Sequence, residues 1–427
     1  MFALSGIALR KKNTPIHGFF FAKYSFGMVI WWECGYNNCK MKKVLMTFGI
    51  ILGMGMLAVL IVKGITRNEK EITKKKEPIT VKEVGAKWLF AGTTFWGRRT
   101  NKDARASELG VKYPFSQLDT LEREKYEAWI AGLECPVTNN GHNDVEENTI
   151  FKFNCDPDYL PEAKKYFTAF LLGNNHTDNQ GAAGFTETKK HLDENGIQYF
   201  GSYDYQDGKD NCDVLVLPVK VTYSNKKTKT LQLPFGFCSA HGVYGVPTEA
   251  VLTNMAEYAK VLPTIAMPHM GAEYKATQDE IRTNLYHKMI DYGMEAVIAD
   301  HPHWIQNTEA YKGKLIAYSM GNFMFDQTFN KEVSRSAAIE GNLKVVNPKK
   351  KIIERWGKIG KSCLKHKTTC MDKIKESKLE KLKVEWTYDY HGTTSAVNRI
   401  TRLASETEQV EIGQRLNWQK TIQELGF

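Results

Sequence analysis

The chain reads as an α/β body, on three observations. Short uncharged runs, namely WLFAG, AWIAGLE, TAFLLGN, PTIAMPH, EAVIAD and KLIAYSMGNFMF, have the composition of buried strands, and each closes on a polar or glycine-rich turn. Amphipathic stretches at 186–196 and 278–293 lie between several of them; in the second, Leu285, Met289 and Ile290 share a face and Gly293 stands where a helix ends. Residues 213–240 read as an antiparallel hairpin, DVLVLPVKVTYS and TLQLPFGFCSA turning through NKKTK. Strand–helix alternation with antiparallel insertions excludes an all-α or all-β body.

In chain order, residues 1–43 form a tail, and FFFAKYSF and VIWWECGY within it show neither helix nor strand periodicity. Met41-Lys42-Lys43 before an apolar run is a normal start for an export signal, so Met41 is the expected initiator and 1–40 a segment that is not translated. Residues 44–62, VLMTFGIILGMGMLAVLIV, are 19 uncharged residues. As a helix they span about 28 Å, close to the ~30 Å hydrocarbon core. The run is apolar on every face and longer than a signal h-region, so it reads as an uncleaved single-pass anchor in the cell membrane, in contact with lipid. Basic residues before it place the N-terminus inside and the body outside the cell. Residues 63–86 read as a solvated linker, and 87–427 as the ectodomain.

The charge distribution fits that division. The chain has 58 Lys+Arg against 48 Asp+Glu, a net of +10. Residues 1–87 alone carry +10, residues 344–383 carry another +10, and the rest of the body sums to −10. No basic skin covers the body, so nucleic acid is not an expected partner. The 344–383 stretch is expected to be a surface appendage off the core, with its lysines available to an anionic polymer or to phospholipid headgroups. Six cysteines in an exported body permit disulfides, and Cys363 with Cys370 is the best pair. No C-x2-C pair marks a zinc knuckle.

Polar residues gather after the strand runs, where open α/β sheets place ligand sites. Glu134 follows WIAGL; Asn174, Asn175 and His176 follow FLLG; His269 and Glu273 follow PTIAMP. Asp300, His301 and His303 follow EAVIA, and Asn322 follows LIAYSM. His241 closes its own strand. Imidazoles with a carboxylate suit Zn, Mn or Fe, whereas an all-oxygen set would suit Mg or Ca. The proline between His301 and His303 stiffens their turn.

The segments FAGTTFWGR, GNNHT, PHMGAEY and HPHWIQNTEAYKGKLIAYSMGNFMFDQ resemble the poly-γ-glutamate capsule biosynthesis proteins of the CapA type, from about residue 88 to about 335. The resemblance implies a calcineurin-like metallophosphoesterase fold, a four-layer α/β/β/α sandwich. It implies Glu134, Asn175, His269 and His301 as ligands of one metal, with His303 facing a second. His176 would assist proton transfer, and Glu273 and Asn322 would orient ligands or substrate. The implied activity is metal-dependent hydrolysis in the synthesis or attachment of an anionic surface polymer, with other capsule-synthesis membrane proteins as partners. The alternative is a non-catalytic member that binds polymer or such partners.

Five positions depart from the family pattern. Thr93 stands for the aspartate of "GD", Gly132 for the asparagine of "NLE" and Asn179 for the aspartate after the motif histidine. Met270 stands for the tryptophan of "HWG", and Asp300 for the first histidine of "GHHPH". A hydroxyl at 93 is a poor ligand, so one divalent metal per chain (Mn, Zn or Fe) is expected, with Asp300 as the one residue placed to substitute.

Overall fold

The computed structural model describes residues 78–427 except 205 and 207, together with three strands nearer the N-terminus. The chain divides into two units between Glu77 and Pro78. In the first, β1 (Phe21–Lys23), β2 (Met28–Gly35) and β3 (Asn38–Leu45) form an antiparallel sheet. Register pairs Val29 with Val44 and Trp31 with Lys42. This corrects the reading of 1–40 as lacking strand character: β-branched and aromatic residues cluster in MVIWW, and such residues favour extended backbone without strict alternation. Val44 and Leu45, assigned to the anchor, close this sheet; 46–62 lie outside the described residues. Among the described residues no helix is long and apolar enough to cross a membrane.

The second unit is mixed α/β. Its strands are β4 (Val81–Thr94), β5 (Ala128–Leu133), β6 (Ala169–Leu171), β7 (Gln198–Phe200), β8 (Cys212–Tyr223) and β9 (Thr228–His241). They continue as β10 (Thr264–His269), β11 (Ala296–Ile298), β12 (Thr308–Tyr311), β13 (Lys314–Ala317) and β14 (Asn322–Met324). The last are β15 (Arg335–Val345), β16 (Val384–Thr394) and β17 (Arg402–Leu403). The sheet order is β12-β13-β11-β10-β9-β8-β4-β15-β16-β17, and β5, β6, β7 and β14 branch from β4. The long hairpin β8–β9 thus links a wing of parallel strands β4–β5–β6–β7 to a wing of parallel strands β9–β10–β11–β13.

Side-chain alternation converts this topology into three cores. Trp88 and Phe90 of β4, Ile130 of β5, Ile265 and Met267 of β10, and Ala296 and Ile298 of β11 all face one central core. Their neighbours turn the other way. Leu89, Trp129 and Phe170 pack in a second core with Leu160 and Leu192 of the covering helices. Ala266, Val297 and Ile316 pack in a third, beneath helices Glu249–Val261 and Glu280–Asp291. Asp279 caps the latter helix by accepting from Arg282 N, and Gly293 ends it at φ +98°.

Two sequence boundaries need correction. Strand β4 begins at Val81, paired with Tyr223, inside what reads as linker 63–86. Lys82 and Glu83 point to solvent there while Val81 and Val84 are buried, so charge masks the strand. The basic segment 344–383 is no appendage. Its helix Lys350–Lys365 buries Ile353, Trp356, Gly357, Gly360 and Cys363 against β8 and β9, and Ile374 follows from Cys370–Ser377. Gly360 is needed because a Cβ there would meet the carbonyl oxygen of Gln232 at 2.1 Å. The lysines take the outer face, which is why composition alone reads as surface.

All six cysteines of this unit are paired, as Cys135–Cys155, Cys212–Cys238 and Cys363–Cys370.

Candidate metal centre

The parallel strands of both wings end at one edge, and their first loop residues meet there. Thr93 is paired with Asn322 across β4 and β14, and His269 with Asp300 just beyond β10 and β11. Glu134 follows β5 directly, its N–H bonded to the Thr94 carbonyl at 3.0 Å. The turn after β6 is held by Asn174, which donates to Leu133 O and accepts from the N–H groups of His176 and Thr177. That turn presents Asn175 and His176. His301 and His303 sit at φ +103° and +57° around Pro302. Left-handed backbone at non-glycine residues costs on the order of 1–3 kcal/mol each and persists where surroundings enforce it.

Glu134 is 1 % exposed, and neither of its carboxylate oxygens has a hydrogen-bond partner. Three imidazole nitrogens face its Oε1: His269 Nε2 at 3.6 Å, His303 Nε2 at 3.8 Å and His176 Nε2 at 4.0 Å. His269 Nε2 is also 3.0 Å from Asn175 Oδ1 and 3.2 Å from His301 Nδ1. Donor atoms of Glu134, His301 and His303 lie within 4.8 Å of one another. Imidazole nitrogens and a carboxylate so gathered are the kind of donor set that suits a Zn, Mn or Fe ion.

The electrostatics point the same way. Burial, opposed by His303, raises the Glu134 carboxyl to about 7. Burial holds His269 and His301 well below the usual histidine range, reinforced by the other histidines, so both are neutral at pH 7. His303 Nδ1 donates to Asn322 Oδ1 at 2.7 Å, leaving its Nε2 lone pair toward Glu134, while Asn322 Nδ2 donates to Val333 O. An outer hydrogen bond that fixes the tautomer of a ligand histidine is the usual partner of a metal site.

The remaining expected residues fall as follows. His176 is half-buried and packed on Phe153; its Nδ1 donates to Asn179 Oδ1 at 2.9 Å, which turns the Nε2 lone pair to the centre. Asn179, a departure from the family pattern, thus still orients the histidine. Burial lowers His176 to about 4, so at neutral pH it accepts a proton and does not carry one. Glu273 is exposed at the mouth of the cleft, outside the buried group. His303, expected beside a separate second ion, joins the same group as Glu134 and His301. Asp300 is buried, its Oδ2 accepting from the Thr93 hydroxyl at 2.5 Å and its Oδ1 without a partner; burial raises it to about 8. His241 is the β9 residue paired with His269 of β10, and its Nδ1 donates to Tyr203 O.

The residue that sequence reasoning missed is Arg98. It lines the cavity of about 330 Å³ that opens onto His176, His303 and Asn175. Its side chain is 8 % exposed, paired with Asp326 at 2.5 Å and stacked 4.4 Å from the Phe153 ring. Its presence in FAGTTFWGR was visible, but a partner 228 residues away was not.

The family model for the bacterial capsule synthesis protein PGA_cap matches residues 87–327. The chain is similar to the PGA biosynthesis protein CapA of Bacillus subtilis, 25% identical over 270 residues, covering 60% of this chain and 67% of that one. It is similar to the capsule biosynthesis protein CapA of Bacillus anthracis, 26% identical over 194 residues, covering 42% of this chain and 44% of that one. Among solved structures, TT1561 of Thermus thermophilus aligns at 9% identity and a TM-score of 0.29, over 58% of this chain and 92% of its own, a likeness too weak to bear on function. With the match running over more than half its length and through every strand end that builds the centre, the chain belongs to the PGA_cap family of bacterial capsule synthesis proteins.

Proposed function

We propose that the protein is a metallophosphoesterase-like, four-layer α/β/β/α hydrolase that acts in the synthesis or attachment of an anionic surface polymer of the poly-γ-glutamate type. The observation that carries the reading is the buried Glu134 carboxylate, without a hydrogen-bond partner at the point where the imidazoles of His176, His269 and His303 converge. A divalent ion held by Glu134, His269, His301, His303 and Asn175 would acidify a bound water and offset developing negative charge. The protein's own groups supply the rest. His176, held by Asn179, offers an unprotonated nitrogen at the cavity wall, placed to assist proton transfer. Arg98, paired with Asp326, places a guanidinium in that cavity wall, suited to contact an anionic substrate. The stacked Phe153 and Phe325 keep that wall from solvent.

The family membership and the named relatives support the capsule setting. Three disulfides support an extracytoplasmic body, since such bonds persist in oxidising compartments. Anchoring through the part of 44–62 that follows β3, lipid contact there and association with other capsule-synthesis membrane proteins complete the proposal. A non-catalytic reading is favoured by one observation: the Thr93 hydroxyl occupies Asp300 Oδ2, where a second carboxylate would extend the site.

Metal analysis and turnover of a model phosphodiester separate the two. About one tightly held ion per chain with turnover that falls on His176→Asn by roughly 10²–10⁴, metal content unchanged, supports the enzyme. An ion-bearing chain inert toward phosphodiesters and polymer would support the binding protein.

A further inference from the structure

The cavity that opens onto His176, His303 and Asn175 changes character toward its mouth. Ile150, Phe151 and Tyr244 all line it, and each is more than half exposed. Single exposed apolar residues are ordinary on a protein surface. Three around one opening, with the buried Phe153 and Phe325 in the same wall, form a patch. Phe329, equally exposed, extends it by packing on the Tyr274 ring at 5.6 Å. Among the described residues that line the cavity there is no lysine, and Glu273 is the one carboxylate.

The rim is held in place. Phe151 stands at φ +54°, a left-handed conformation that a bulky residue keeps only where its surroundings enforce it. The N–H groups on either side, of Ile150 and Lys152, both donate to Glu146 O, at 3.1 and 3.3 Å. Phe153 N donates at 2.8 Å to Asn179 Oδ1, the oxygen that also accepts from His176. Cys155 ties the end of this segment to Cys135, the residue after Glu134. Tyr244, which follows β9, donates its hydroxyl to Asn175 O at 3.1 Å. The apolar rim is thus braced against the residues of the metal centre themselves.

A pocket with metal donors and a guanidinium inside and an apolar mouth fits a ligand of the same polarity. We propose, on the metal-dependent reading given above, that the centre takes a phosphate ester of an apolar alcohol. The phosphoryl group reaches the metal donors and Arg98, and the hydrocarbon lies along Ile150, Phe151 and Tyr244. The mouth offers the acidic stretch of a polymer no lysine to pair with, whereas each methylene laid against it leaves water. The substrate is thereby narrowed from an anion in general to an anionic amphiphile.

Calorimetry on the full chain loaded with Mn tests this with methyl-, propyl- and hexylphosphonate, whose C–P bond hydrolysis does not break. Affinity should rise about two- to fourfold per methylene, on the order of 30- to 1000-fold from methyl to hexyl. In the double variant Ile150→Ser, Phe151→Asn the rise should fall below about 1.5-fold per methylene. Asparagine accepts the left-handed backbone and both side chains are exposed, so the unfolding midpoint should stay within a few degrees of the parent's. Binding that does not depend on chain length in the parent overturns the proposal and leaves the metal-dependent reading standing. So does a slope that the double variant leaves unchanged, a loss equal at every length included. Absence of binding by all three at about 10 mM overturns both. Chain-length independence together with weaker adsorption of the variant to phosphatidylcholine vesicles would assign the rim to a bilayer surface instead.

Discussion

Replacing Glu134 with glutamine should make the metal-free protein more stable and the metal-loaded protein less so. The carboxyl is fully buried with both oxygens unpartnered, and its folded-state pKa is raised from 4.5 to about 7 by burial. The sign is opposite to that of a salt-bridged carboxylate. Here the folded state binds the proton more tightly than the unfolded one, so the penalty is absent below about pH 4.5, grows between 4.5 and 7, and is complete above 7. That rise corresponds to about 3 kcal/mol. Urea unfolding followed by tryptophan fluorescence, in EDTA, should therefore find Glu134→Gln more stable than the parent by up to about 3 kcal/mol at pH 8, the gap closing toward pH 4.5. With Zn or Mn at a thousandfold excess over Kd, the parent should gain about 4 kcal/mol and the variant much less. Equal stabilities at pH 8 in EDTA, with undiminished metal binding by the variant, would refute the assignment of Glu134 as the central ligand.

Asn322→Ala should lower metal affinity by about 10- to 100-fold while the fold persists, because His303 loses the acceptor that fixes its tautomer; titration with a competing chelator measures it. His142 is held between Glu147 at 2.7 Å and Asp156 at 3.2 Å, and although burial opposes it these bonds raise it to about 9. Its contribution is full below pH 6.5 and lost as pH rises through 9, about 1–2 kcal/mol after allowance for solvent screening, and His142→Asn should flatten the pH–stability curve over that window. Trp356→Ala should cost about 3–5 kcal/mol of unfolding free energy, whereas Lys358→Ala on the exposed face of the same helix should change it by less than about 0.5 kcal/mol.

Much of the architecture is legible because the physics that makes it is local. PTIAMP and EAVIA are buried on both faces, so all but Thr264 and Glu295 are apolar and the run announces itself. Strand Val81–Ala86 hides because the exposed pair Lys82-Glu83 sits at a register shift that breaks the alternation between buried Val81 and Val84. The helix 350–365 hides because lysines fill the positions between Ile353, Trp356 and Cys363 and dominate any count by composition. At the site, residues that directly follow strands are visible in the sequence, and their convergence follows from parallel strands ending at one edge. What the sequence cannot carry is which histidine faces which carboxylate. That depends on the turn at His301 and His303, on Asn322 lying 19 residues beyond His303, and on Arg98 finding Asp326.

The donors of the centre come from two structural halves. Glu134, Asn175 and His176 rise from strands whose outer faces pack in one core, while His269, His301 and His303 rise from strands whose outer faces pack in another. The halves share the central core and the β8–β9 hairpin, and at this edge a single chain crossing, residues 318–321 between β13 and β14, joins them. A cation seated between Glu134 and His269 would be a rivet across a seam. Its binding energy would then appear as cooperativity: with the ion the wings melt together, and without it the edge opens first and unfolding resolves into two steps. The same rivet would make the spacing of the donors answer to any load that shears one wing against the other, and such a load would tune the ion's affinity from a distance.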